Sequence, residues 1–466
     1  MNLSIKKIFL LVIYALKGKE TEFTKGSLNR AIFMLSIPMI AEMIGEALFA
    51  VADMIFVSRV SVNAMATVAL TEAPLMVIYS LAVGLSMAAT AIVARRIGEK
   101  DPTRASNAAF HAIVLAIIVG VALGIPGFIF ADDVLRMMGG DASLIAEGVG
   151  YTKIMYAANP IIILIFLLNG VFRGAGNAAI AMRALLLANL CNIVLDPIFI
   201  FGLGPIPALG VEGAAVATTT GRTIGVCYQV YQLLRGSQDV RIRKQNMVLR
   251  MVTIKEYIKI GIGGFLQFFI ETASWIVLVR IVSEFGKDAV AGYQMSFRVI
   301  VFTLLPSWGM ASATATLVGQ NLGAKKPERA EKAVWKTARL NTIFLIGVSI
   351  IFSVFAKEIL TLLFQQEGVV LETAVMALRI ICFGYIFFAY GMVLGQSFNG
   401  AGDTATPMYI SIVSFLIIEI PLAYFLAITL EWESNGVFAS IAIAHSIYAV
   451  IAMVIFRKGK WKTVQV

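Results

Sequence analysis

Residues 31–58, AIFMLSIPMIAEMIGEALFAVADMIFVS, run from Arg30 to Arg59 with no basic residue between them. About 20 mostly apolar residues at 1.5 Å rise each cross a bilayer, so the stretch is long enough for a membrane span. It nevertheless carries Glu42, Glu46 and Asp53. Spacings of four and seven residues, at about 100° per residue, put the three carboxylates within roughly 40° of one another on one helical face. A carboxylate held in hydrocarbon costs several kcal/mol, so that face turns toward protein or a water-filled cavity and marks an ion or substrate path. The rest of the chain reads as what encloses it.

The 466 residues are 59% hydrophobic and 14% charged, with a mean hydropathy of +0.86, which describes a polytopic membrane protein. The net charge of +10 does not point to nucleic acid, because the basic residues stand in short clusters at the ends of apolar runs, where they act as topology signals. Cys191, Cys227 and Cys382 lie inside predicted helices without metal-ligand or CxxC spacing and read as packing residues. The start, MNLSIKKIFLLVIYALKGKE, imitates a signal peptide but lacks a small-x-small cleavage site. Its apolar run from Ile8 to Leu16 is too short to span and is expected to lie in the membrane plane.

Apolar runs of spanning length predict about twelve helices, near 30–58, 63–96, 105–131, 147–172, 178–203, 210–234, 255–284, 289–321, 331–355, 370–397, 404–428 and 434–456. The fold class is therefore an all-α membrane protein. Basic loops, among them Arg95, Arg96, Lys100 and Arg104, then Lys325, Lys326 and Arg329, alternate with acidic or neutral ones such as ADDVLRMMGGD, GLGPIPALG and EWESN. The positive-inside rule then puts both termini in the cytoplasm of a cell whose inner or plasma membrane holds the protein.

The two halves repeat. RRIGEKDPTRA matches QNLGAKKPERA with Gly98 and Gly323, Pro102 and Pro327, and Arg104 and Arg329 at one offset of 225 residues (323 − 98). RGAGN and NGAGD, then LGVEGAA and NGVFASI, follow at 226 (400 − 174). This divides the chain into an N-terminal segment 1–29, a six-helix lobe 30–234, a linker 235–254, a second six-helix lobe 255–456 and a tail 457–466. An even number of helices per repeat gives both halves the same orientation, and transporters built this way place substrate near the midplane between lobes.

The fifth predicted helix contains ANLCNIVLDPIFIFG, where Asn189, Asn192 and Asp196 share a face about 60° wide. Asp196 precedes Pro197, which disfavours helical dihedrals at the residue before it and frees nearby carbonyls for a cation. The competing reading makes Asp196 the cap of a kinked helix with Pro197 at its first position. Asn169 and Thr218 supply neutral oxygens that either complete a hard-cation site with Asp53 and Asp196 or act as interhelical hydrogen bonds. In the second half, Gln267, Glu271 and Ser274 share a face; Glu271 is the repeat mate of Glu46, whereas Asp53 maps to Leu278 and Asp196 to Leu422, three residues from Glu419. The first lobe thus reads as ion-coupled, with Glu271 as a cavity charge for a cationic substrate. His111 and His445 have no HExxH context, and neither a P-loop nor a nucleophile elbow occurs, which argues against an enzyme and against ATP as energy source.

VADMIFVSRVS, RRIGEKDPTRA, VFRGAGN, NIVLDPIFIFG and GVEGAAVAT, in this order, resemble the pattern of prokaryotic multidrug and toxic compound extrusion (MATE) transporters from about residue 25 onward. The resemblance implies a V-shaped pair of lobes exporting cationic or amphipathic organic compounds in exchange for entering Na+ or H+. It also implies that Asp53, Asn169, Asn192, Asp196 and Thr218 form the cation site, with a Na+ held by Asp53, Asn192, Asp196 and Thr218. Glu271 and Asp403 correspond to second-lobe acidic positions that some members use. Glu42, Glu46, Asn189 and Gln267 are expected to line the substrate cavity with them. No cofactor beyond the coupling ion is called for. Expected partners are small organic cations and membrane lipids, with neither nucleic acid nor an obligate protein. The competing transporter reading is a lipid-linked-precursor flippase, whose cavity would need basic residues for a pyrophosphate.

Overall fold

A computed structural model describes residues 5–18, 22–235 and 240–466. Parts of the expected N-terminal segment (1–4, 19–21) and of the linker (236–239) lie outside the described residues. The first half holds α1 (Ile5–Lys17), α2 (Leu28–Val57), α3 (Val62–Gly98), α4 (Pro102–Ile129), α5 (Ala131–Met137), α6 (Ala142–Ala157), α7 (Asn159–Gly174), α8 (Ala178–Phe201) and α9 (Val211–Arg235). The second holds α10 (Met251–Val282), α11 (Lys287–Gly323), α12 (Pro327–Phe364), α13 (Val369–Phe383), α14 (Tyr385–Ala401), α15 (Ala405–Ser411), α16 (Ile420–Tyr424) and α17 (Glu433–Arg457). Eight helical segments are by themselves long and apolar enough to cross a membrane, and two bent pairs bring the number to ten among the described residues. With α2 and α9, which are long enough but carry the polar faces, these are the twelve spans of two six-helix lobes.

Three features depart from uniform helical spans. The fourth and tenth spans are each two helices, bent by 44° between α6 and α7 and by 57° between α13 and α14. The breaks fall at Ala158 and Gly384, which are repeat mates at the 226 offset, so the bend belongs to the repeat. Pro160 opens α7 in the first lobe, whereas Gly384 alone marks the break in the second. The eleventh span is wound as a π-helix over Ile412–Glu419 and again over Phe425–Thr429, on either side of α16. Hydropathy cannot distinguish this winding from α. The expected loop ADDVLRMMGGD also folds in part, as α5, with Asp132 and Asp133 in its first turn where the helix dipole favours acid.

The lobes meet along the first two helices of each. α2 packs on α11, and α3 packs on both α10 and α11. The seam is built on glycine mates. A Cβ on Gly98 would collide with the carbonyl of Gln320, and one on Gly323 with the carbonyl of Arg95, so α3 and α11 end with their backbones touching. Gly84 lies likewise against Phe265, and Gly309 against Ile40, each pair shifted from the other by the repeat. Side chains clasp the same end in both directions. Arg95 donates to the carbonyls of Val464 (2.7 Å) and Ala401 (3.3 Å), and Arg96 to that of Val466 (2.8 Å). From the other lobe, Lys326 donates to Thr24 (3.0 Å) and Arg329 to Lys25 (2.8 Å).

The close approach makes a stability prediction. Gly98→Val is expected to lower unfolding free energy by about 1–3 kcal/mol, the usual cost of overpacking a contact whose neighbour is backbone. Gly347→Ala, on α12 with nothing within 4 Å of its Cβ, is expected to be neutral or stabilising by at most about 1 kcal/mol. Thermal unfolding of the two purified variants in detergent checks the contrast.

Candidate functional site

Polar residues of the first lobe gather where α2, α8 and α9 pack together, and they divide into three clusters. Glu42 is fully buried and forms an ion pair with Arg173, while Asn169 donates to the same carboxylate at 3.3 Å. Asn169 in turn accepts from Gln229 at 2.6 Å. Glu42 therefore sits in a structural knot rather than on a cavity wall, and Asn169 is hydrogen-bonded to that knot rather than to Asp196. One turn on, Glu46 is half-buried between Arg222 (3.5 Å) and the amide of Asn189 (3.2 Å).

The third cluster has a different balance. Asn192 donates both to Asp196 (3.2 Å) and to the hydroxyl of Thr218 (3.0 Å), which joins α8 to α9. Gly221 allows this, since a Cβ there would press on the carbonyl of Ala188 and on Asn192. Asp196 is fully buried, and α8 runs on through Pro197 to Phe201, so Asp196 is an interior residue and not the cap of a second helix. Among the described residues Asp196 Oδ2, Asn192 Oδ1 and Asp53 Oδ1 are buried acceptors without a hydrogen-bond donor. Asp53 lies within electrostatic range of Asp196. Two carboxylates and neutral amide and hydroxyl oxygens suit a hard monovalent cation or a proton. Among the described residues no group of three or more His, Cys, Asp and Glu side chains could hold a metal ion.

Two charged residues near this cluster were not singled out from the sequence. Glu72 on α3 and Arg222 on α9 both lie within electrostatic range of Asp53, and Tyr79 and Tyr151 share that surrounding. Glu72 is the lone charge in the largely apolar LTEAPL and Arg222 the lone charge in the threonine-rich TTTGRTIG, and that was the available signal.

In the second lobe a cavity of about 90 Å³ lies between α10, α11, α14 and α17, with Met87 of α3 reaching in from the first lobe. Glu271 supplies its carboxylate, and Trp308, Phe268, Phe388 and Tyr448 form aromatic walls. His445 stacks on Phe388 with ring centroids 3.9 Å apart. Gln267 also lines the cavity, but its amide is engaged with Asn399 (3.1 Å) and with the carbonyl of Thr404 (3.0 Å), tying α10 to the end of α14. Asp403 stands apart from the cavity lining. It accepts from the backbone N–H (3.2 Å) and hydroxyl (2.7 Å) of Thr406 and closes the turn into α15.

The buried pair in the first lobe gives a stability test. Glu42→Gln or Arg173→Gln alone is expected to cost about 3–5 kcal/mol, because each strands a partly or fully buried charge. The double variant should recover a large part of the loss. Denaturation of all four proteins closes the cycle, and additive losses would contradict a pairing role.

Comparison with known proteins bears on both lobes. The MatE family model matches residues 38–198 and again 265–425, two segments shifted by the internal repeat. A probable multidrug resistance protein, NorM of Thermotoga maritima, is 24% identical over 437 residues, covering 93% of each chain. A crystal structure of MATE in the straight conformation superposes with a TM-score of 0.89 at 28% identity, covering 96% of this chain and 99% of the other. An outward-facing multidrug resistance MATE family transporter of the MOP superfamily gives 0.88 at 27% identity, with 96% and 99% covered.

Proposed function

We propose, from the premise that the chain belongs to the MatE family, that it is a secondary antiporter exporting cationic or amphipathic organic compounds in exchange for entering Na+ or H+. The observation that carries this reading is the trio of donor-less buried oxygens on Asp53, Asn192 and Asp196. An acceptor-only group buried without a donor costs free energy until a cation or proton meets it, so the cluster is poised to take one up. Thr218 would complete the set, and Asn169 would support it from the Glu42 knot. The drug-related names of the similar proteins support an organic substrate.

The second-lobe cavity supports the cationic preference. A carboxylate beside aromatic faces attracts a desolvated organic cation by charge and by cation–π contact, the latter worth about 2 kcal/mol or more when water is excluded. A flippase for a pyrophosphate is less well supported, because Arg173 is neutralised by Glu42 and Arg222 faces Glu46.

Orientation follows from the basic loops. With Arg95, Arg96, Lys326 and Arg329 on the cytoplasmic side, both termini and the linker are cytoplasmic and the glycine seam closes that side. The membrane is then an inner or plasma membrane. One cation entering down about 100 mV releases roughly 2.3 kcal/mol, which expelling one monovalent cationic drug consumes again. A one-for-one exchange is thus driven by the ion's concentration gradient. Ion uptake at Asp53 and Asp196 couples to export if it favours the conformation with low substrate affinity.

Proteoliposomes under separately imposed Na+ and pH gradients test the reading. Asp53→Asn and Asp196→Asn should each reduce gradient-driven export at least about tenfold, equivalent to roughly 1.4 kcal/mol of lost coupling, while the purified proteins stay monodisperse. Full transport by either variant would overturn the first-lobe site. The gradient that drives the wild type identifies the ion.

A further inference from the structure

One buried acid is used by nothing described so far. Glu419 is 3% exposed and ends the π-wound stretch Ile412–Glu419, two residues before Pro421. π-wound turns inside helices are rare and are often found at functional sites. The position answers to the first lobe, where Asp196 stands just before Pro197 on the corresponding span. Asp196 is met by the amide of Asn192; Glu419 is met by a hydroxyl.

That hydroxyl belongs to Ser274 on α10, one turn from Glu271. Ser274 Oγ lies 2.6 Å from Glu419 Oε2 and 3.2 Å from the carbonyl of Phe415. A serine hydroxyl has one proton to donate and two acceptors here. Both contacts are satisfied together when the carboxyl carries a proton and donates it to Oγ, leaving the hydroxyl proton for Phe415. The 2.6 Å separation fits an O–H···O bond with the proton on either oxygen, so it is the sharing of one hydroxyl proton between two acceptors that favours the protonated acid. Neither Glu419 nor Glu271 has a lysine or arginine close enough to compensate an ionised form among the described residues. The titratable groups around them are Tyr293 of α11 and His445 and Tyr448 of α17, with each acid within electrostatic range of the other.

We propose that Glu419 is a proton-binding site of the second lobe, held through Ser274 beside Glu271, and that an organic cation entering the Glu271 cavity displaces its proton. This rests on reading that cavity as the substrate site. Two acids this close, buried without cations, do not readily ionise together, so the empty pair retains a proton. A cation at Glu271 replaces that proton's charge: the O–H bond of the carboxyl breaks, the carboxylate keeps the electron pair, and H+ is released to solvent. The second lobe would then exchange substrate for a proton whichever ion the first lobe takes.

The test uses the full-length protein and tetraphenylphosphonium, a permanent cation that has no proton of its own to lose. Protons released on binding are measured in weakly buffered detergent solution on an Asp53→Asn/Asp196→Asn background, where neither first-lobe aspartate can contribute. Release is expected to persist in that background and to be lost when Glu419→Gln is added, although the amide keeps a hydrogen bond to Ser274. Infrared difference spectra should lose a protonated-carboxyl band in the same variant. Unchanged release together with an unchanged band overturns the proposal and leaves Glu419 as a packing residue. Should Glu419→Gln not fold, Ser274→Ala keeps the acid and removes its partner; the carboxyl band must then shift, and an unshifted band overturns the proposal equally. Failure of the first-lobe reading would appear separately, as transport retained by the Asp53 and Asp196 variants.

Discussion

A carboxylate inside a membrane span has to be compensated, and the ways in which this chain compensates its acids organise everything else in the structure. Glu42 takes the strongest course, a buried ion pair with Arg173 within one lobe. Glu46 takes a looser one, facing Arg222 from a half-exposed position. Glu419 is met by a single hydroxyl. Asp53 and Asp196 retain oxygens without a donor among the described residues, as Glu42 does on its second oxygen, but unlike Glu42 neither aspartate has an ion pair there. The order is also one of availability. A paired acid has little to gain from an arriving cation, because binding one must first break the pair. An acid with an unmet oxygen and no ion pair to break gains the full interaction. Counting intramembrane acids is therefore a poor guide to a transport site; their partners decide which of them can act.

The internal repeat sharpens this point, because backbone and chemistry follow different rules. The backbone is repeated faithfully: the breaks at Ala158 and Gly384 and the close approaches at Gly98 and Gly323 recur at the repeat spacing. These positions answer to packing, which both lobes share. The charged residues recur only in part. Glu46 and Glu271 are mates, yet Glu46 meets an arginine while Glu271 faces an aromatic cavity. Asp196 and Glu419 stand near equivalent places, but one span stays α-helical through its proline and the other is wound as π. One scaffold thus offers two different environments for acids.

Much of this was legible in the chain. The twelve spans, the two-lobe duplication and the family pattern all follow from hydropathy, glycine spacing and short motifs, which are local signals. The grouping of Asn192, Asp196 and Thr218 also followed, because two of the three share one helical face. The partners of the acids were not legible. Nothing in the spacing of α2 says that Glu42 meets Arg173 on α7, since that contact depends on how two distant helices are rotated about their axes. The same holds for Arg222, and for Glu72, a single charge in an otherwise apolar run. Asp403 illustrates the converse, a motif residue whose carboxylate is spent on its own turn. The π-winding of the eleventh span leaves no mark in hydropathy because the residues stay apolar.

How the charges are distributed between seam and lobe interior bears on how such a molecule can move. The contacts that join the lobes at their closed end are glycine backbones and arginine or lysine bonds to main-chain carbonyls, as with Arg95, Arg96, Lys326 and Arg329. When two helices part there, water can take over each of those hydrogen bonds, so separation exchanges partners and strands no buried charge. The Glu42–Arg173 pair, which would be costly to break, lies wholly within the first lobe and travels with it. A repeat that keeps its ion pairs inside the lobes and leaves only exchangeable bonds between them can open at the seam while each lobe moves as a packed body.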